Sequence, residues 1–119
     1  MQSFTDFDLE LIRADPRSLE LSSPTRNGVA VDLTSASMRF VVKWRPEDAD
    51  ADAVFVRTTG GSGITTTAST ATVAFIPSNF SALPYKKVQL WYEWTWNNGT
   101  YNEVWLRGKM NVHPNINRT

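Results

Sequence analysis

The chain has 119 residues, 41% of them hydrophobic and 12% aromatic, which suffices for one domain with its own core and is too apolar for a disordered segment. Twelve basic and twelve acidic side chains cancel, so the electrostatic footprint of a nucleic-acid or anionic-membrane binder is missing. Cysteine is absent, which removes disulfides, thiolate nucleophiles and thiolate metal sites.

In chain order, the start (Met1, Gln2, Ser3, Phe4, Thr5, Asp6) has neither the basic residues nor the apolar stretch of a signal peptide. No later run reaches the ~18 apolar residues of a membrane helix, and a soluble chain is expected. Residues 7–11 put Phe7, Leu9 and Leu11 on one face of a first strand, ended by Asp15 and Pro16. Leu19 and Leu21 begin a second strand. Arg26-Asn27-Gly28 reads as a turn, and Val29 and Val31 lead a short third strand to Leu33 and Thr34. Residues 37–45 alternate most clearly: Met38, Phe40, Val42 and Trp44 share one face, while Arg39, Val41, Lys43 and Arg45 share the other. This predicts a central strand, stopped by Pro46.

Residues 47–52 form an acidic loop before Val54, Phe55 and Val56 resume as strand. Gly60-Gly61-Ser62-Gly63 reads as a flexible hairpin loop. Residues 70–76 are a strand with Ala71, Val73 and Phe75 to one side, and 77–84 a connection with a short helical turn. The last third is a hairpin, 85–96 and 101–112, around Asn97-Asn98-Gly99-Thr100. With Asn98 and Gly99 as the centres of a type I′ turn, Trp96 faces Tyr101, Trp94 faces Glu103 and Tyr92 faces Trp105. The whole predicts a single all-β domain over 1–119, an antiparallel immunoglobulin-like or jelly-roll-like β-sandwich of about eight strands, with mobile ends at 1–5 and 114–119.

Catalytic chemistry is sparse. The one histidine, His113, stands beside Pro114 and is expected in a solvated tail, where no triad or histidine metal site can assemble. Asp48, Asp50 and Asp52 match the first ligand positions of a calcium loop, but Ala53 replaces the glycine and Thr59 the bidentate glutamate. A solvated connector is the first reading, a looser carboxylate cation site the second. The glycine-rich run lacks the Gly-Lys-Ser/Thr ending of a phosphate loop. Glu93 and Glu103 fall on opposite faces of the hairpin, so they do not form a glycosidase pair. The Asn-x-Ser/Thr triplets at Asn79, Asn98 and Asn117 are given no role. The expectation is a protein without catalytic, cofactor or metal residues.

The aromatic cluster is the most informative feature. Tyr92, Trp94 and Trp105 are assigned first to the core. Trp91 projects to the other face and Trp96 sits by the turn, so at least one of these two should be partly exposed. Trp91, Trp96, Tyr101 and Trp105 are the candidate interaction residues, for protein contact or for stacking on sugar rings.

The order of features also resembles a known module. Val31-Asp32-Leu33-Thr34-Ser35-Ala36 leads to Met38-Arg39-Phe40-Val41-Val42-Lys43 and then to Asp48-Ala49-Asp50-Ala51. Gly63-Ile64, Trp91-Tyr92-Glu93-Trp94 and Gly108-Lys109-Met110-Asn111-Val112 follow. This succession is similar to the N-terminal domain of phage baseplate upper proteins of the lactococcal siphophage type, also seen in tail-fibre proteins. The resemblance implies a β-sandwich that docks tail or baseplate components in a virion, with other virion proteins as partners and as part of a homo-oligomer in the assembly. It implies no catalytic residues. Members continue past the domain where this chain reaches Thr119, which leaves a neck or head-decoration protein of the same module as an alternative. A carbohydrate-binding module for host-surface glycan is a further one.

Overall fold

Alternation becomes geometry in β6 (Ser37–Lys43), where Met38, Phe40 and Val42 are buried and Ser37, Arg39 and Lys43 are not. The same period of two runs through β9 (Thr70–Phe75), which buries Ala71, Val73 and Phe75, and through β10 (Val88–Asn97), which buries every second residue from Val88 to Trp96. Side chains that alternate across a pleat fill one face and leave the other to water, and two such faces close on each other.

A computed structural model describes residues 5–12, 17–26, 28–34, 37–60, 63–84, 86–97, 99 and 102–114. The remaining strands among them are β1 (Thr5–Asp6), β2 (Leu9–Ile12), β3 (Arg17–Ser22), β4 (Thr25–Arg26), β5 (Val29–Ala30), β7 (Phe55–Thr58), β8 (Ile64–Thr66) and β11 (Asn102–His113). Short 3-10 turns occupy Asp50–Asp52 and Pro77–Phe80. One sheet runs β1-β11-β10-β6-β7, with β2 also on β11, and the other runs β3-β9-β8. β4 and β5 form a small separate hairpin. No helix among the described residues is long and apolar enough to cross a membrane.

β1 and β2 are one strand in two pieces. Both lie parallel to β11 in a single register, Thr5 opposite Leu106 and Leu9 opposite Met110. The large sheet therefore has five strand positions and the small one three, which is the all-β sandwich of about eight strands expected from the sequence. The break at Phe7 and Asp8 is an exchange of partners. The Phe7 amide still donates to Arg107 O at 2.9 Å, but the Lys109 amide donates to Asp8 Oδ1 at 3.1 Å. The Tyr92 hydroxyl donates to the Phe7 carbonyl instead. Tyr92 stands opposite Gly108, and a Cβ on Gly108 would lie inside contact distance of the Phe7 carbonyl oxygen and 2.9 Å from its carbon. Glycine is needed there because the first strand passes too close for a side chain. Phe7, expected on the buried face with Leu9 and Leu11, is 49% exposed at this break, while the two leucines are buried.

Phe40 joins the sheets, stacked on Tyr92 at 5.1 Å and meeting Phe75 edge-on at 5.3 Å. Phe55 and Phe80 extend the cluster, with centroids 5.4 Å apart. The glycine-rich run differs from expectation. Instead of turning a hairpin, it carries the chain from β7 in the large sheet to β8 in the small one, with Gly60 and Gly63 at positive φ (86° and 106°). Of the ends expected to be mobile, 1–4 and 115–119 lie outside the described residues, while Thr5 opens β1 and is paired.

Candidate functional site

Pairing of β6, β10 and β11 lays their outward residues in rows across the large sheet. Lys43, Trp91 and Lys109 form one row, and Val41, Glu93 and Arg107 the next. Arg39, Thr95 and Val104 follow, then Ser37, Asn97 and Asn102. A cleft runs over this face from Trp91 past Glu93 and Thr95 towards Asn97 and Asn102.

One wall of the cleft is the acidic loop, which the sequence suggested as a solvated connector or a loose cation site. Asp50 bridges Arg39 Nη1 at 2.6 Å and Lys43 Nζ at 2.7 Å, and Lys43 also donates to the Asp48 carbonyl at 2.7 Å. Hydrogen bonds from Lys43 and then Arg39, with their positive charges, hold the Asp50 carboxyl down at about 2. A carboxylate engaged by two cations is a poor ligand for a third, and the described residues contain no cluster of three or more His, Cys, Asp or Glu placed to hold a metal. Val41, though outward-facing, is buried and lines the same cleft as Asp50 of this loop.

The interaction candidates separate. Trp91 lies half-buried on the outer face with Lys109 Nζ 5.6 Å from its ring centroid. Trp96, read as a candidate exposed residue, is 2% exposed and stacks on Trp105 at 4.7 Å inside the sandwich. Trp105 is itself buried, in agreement with its core assignment and against a role in surface contact. Tyr101 lies outside the described residues.

Trp96 is buried because it shares the inward face of β10 with Tyr92 and Trp94; its partners differ from expectation because the register does. The last paired residues of the hairpin are Asn97 and Asn102, so the loop is two residues longer than a type I′ turn on Asn98 and Gly99. Asn97 Oδ1 accepts from the Gly99 amide at 2.7 Å, an Asx turn that starts the loop early. Trp96 therefore sits opposite Glu103, Trp94 opposite Leu106 and Tyr92 opposite Gly108. A bulge between Trp94 and Thr95 takes up one extra residue of β11 and lets both Trp105 and Leu106 pack against the core.

His113 is the second correction. It belongs to β11, opposite Ile12, with Nε2 2.7 Å from Glu10 Oε1. Asn111 Nδ2 donates to the other oxygen of Glu10 at 2.5 Å, and these two partners, Asn111 first, hold the Glu10 carboxyl below its ordinary range. The histidine pins the first strand to the last. Glu93 and Glu103 stay on opposite sides of β10 and β11, as expected, with Glu103 Oε1 accepting from Trp105 Nε1 at 3.3 Å. No nucleophile, base and orienting group come together among the described residues. Sequence reasoning missed Lys109, Arg39 and Lys43 as parts of one surface, because β6 and β10 are far apart in sequence and only their pairing joins the rows.

No protein-family model and no curated protein matches the chain. Among solved structures, the periplasmic chaperone SfaE is similar, with a TM-score of 0.52 and 12% sequence identity over 90% of this chain and 53% of the chaperone chain. The present chain thus spans about half the length of that protein. The comparison also corrects the expected location, a virion reached after soluble synthesis in a host cytoplasm: a solved protein that shares the architecture is periplasmic, and the virion and cytoplasmic placement is withdrawn. What the likeness establishes is the fold, a two-sheet β-sandwich.

Proposed function

We propose that this chain is a non-catalytic module that assembles with other proteins through the open edges of its sandwich. The observation that carries the reading is β3. It is six residues long and, among the described residues, pairs with β9 alone and ends the small sheet. The outer side of an edge strand offers a row of backbone donors and acceptors to an incoming chain. The other sheet ends are less inviting. β8 has three residues and β7 four, and the first strand is screened by Asp8 and Glu10, both exposed. Strand addition at β3, with Leu19 and Leu21 half-buried beneath it, builds a partner into the sheet without any reactive group. SfaE, which shares the architecture, is a chaperone by its name.

The order of motifs from Val31 to Val112 supports tail, baseplate or neck components as the class of partner, with a head-decoration protein as the alternative, and supports further copies of this chain within the same assembly. The test is co-expression with the products of the neighbouring genes, followed by hydrogen exchange on the purified complex. Protection gained by the β3 amides supports the reading. A chain that stays monomeric with every such product, its β3 amides exchanging as in isolation, overturns it.

A further inference from the structure

The cleft on the large sheet holds groups that neither the core nor the β3 edge uses. Trp91 presents a half-buried indole. Glu93, two residues on along the same face, lines the same cleft, and its carboxylate has no hydrogen bond or ion pair among the described residues. Lys109, across from Trp91, stands beside the cleft against the indole and has no carboxylate partner among the described residues, while Arg107, across from Glu93, lines the cleft itself. Arg39 and Lys43 differ, being neutralised by Asp50. The row of Lys43, Trp91 and Lys109 followed by Glu93 therefore combines an aromatic platform, an acceptor awaiting donors and a donor awaiting acceptors.

These groups select a ligand by elimination. Glu93 and Arg107 stand across from each other in the cleft, with Lys109 beside Trp91, so a ligand of either net charge meets a like charge there. A molecule with many hydroxyls satisfies both signs, since each hydroxyl donates and accepts. A pyranose ring adds an apolar C–H face of the size of an indole, and tryptophan offers such a surface together with a fixed orientation. We propose that the outer face of the large sheet binds a neutral oligosaccharide of pyranose units. Trp91 stacks on one ring, Glu93 accepts from its hydroxyls and Lys109 donates to its oxygens. The cleft continues along β10 past Thr95 to Asn97 and Asn102, roughly 20 Å at ~3.3 Å per residue, with hydroxyl and amide groups for further units.

This site is separate from the β3 edge, which belongs to the other sheet, so either reading stands or falls without the other. The experiment is a titration of the 15N-labelled full chain with cellohexaose, chitohexaose, maltohexaose and mannohexaose, followed by heteronuclear NMR. The Trp91 indole N–H and the outward rows of β6 and β10 shift with at least one probe, at a Kd of about 1 mM or tighter. Trp91→Ala and Glu93→Gln each weaken binding by about tenfold or more, and both retain the native melting temperature. If no probe at about 10 mM shifts the Trp91 indole, the proposal is wrong. Binding that survives both substitutions also overturns it, as does a Trp91 shift produced by an acidic peptide and by none of the sugars.

Discussion

Tyr92 does at one point what a strand does along its length. Its hydroxyl replaces the Lys109 amide as the donor to Phe7, and Asp8 in turn satisfies that amide, so the break between β1 and β2 leaves no backbone group of this exchange unpaired. Removing the hydroxyl takes away the donor to a part-buried carbonyl, at a cost of about 0.5–1.5 kcal/mol. Tyr92→Phe is expected to lower stability by that amount in denaturant melts and to speed hydrogen exchange along β2 before anywhere else. Asp50 gives a second residue-level prediction. Its carboxyl titrates at about 2 against an ordinary 3.8, so its link to Arg39 and Lys43 contributes fully above the ordinary value and is lost as pH falls through the lowered one. The melting-temperature difference between the natural chain and Asp50→Asn should be constant from pH 7 to pH 5 and vanish towards pH 2. Because Asp50 is exposed and screened, the difference should also shrink in high salt.

At the scale of elements, the sequence was readable wherever the period of two was strong. Met38, Phe40 and Val42, the inward run of β9 and the inward run of β10 are all buried as their alternation requires, whereas Trp44, read on the same face, lies past the end of β6 and is 43% exposed. The register of the hairpin was not readable, because it depends on a side-chain bond from Asn97 to Gly99 and on a bulge, neither of which leaves a mark in hydrophobic pattern. A change of two residues in the turn kept every face and changed every partner; the bulge then shifted β11 by one more. Pairing between β6 and β10 was equally hidden, since their long sequence separation leaves no turn to announce it, and with it went the outer cleft. Trp96 shows the practical consequence. As a core residue stacked on Trp105, its replacement by alanine should cost about 3–5 kcal/mol and appear as a loss of folded protein in circular dichroism. Trp91→Ala, on the outer face, should leave the melt nearly unchanged.

The whole molecule presents two surfaces with different physics, an edge strand on the small sheet and a polar, aromatic cleft on the large one. In the two proposals above the first would pair with a partner's backbone and the second would hold sugar rings, which is why they call for different experiments. The fold class was legible from composition and rhythm alone, whereas the crossover from β7 to β8 was mistaken for a hairpin because a glycine-rich loop looks the same in either place. The parallel seam between the first and last strands carries a mechanical consequence. Thr5 lies beside Leu106 and Ile12 beside His113, so a load applied at Thr5 and at His113 slides one strand lengthwise past the other. The hydrogen bonds of the seam, the Tyr92 clasp and the Glu10–His113 contact then resist together rather than opening one after another as in a zipper. A module threaded this way behaves under tension as a stiff link, and force spectroscopy should find its rupture force reduced by Tyr92→Phe.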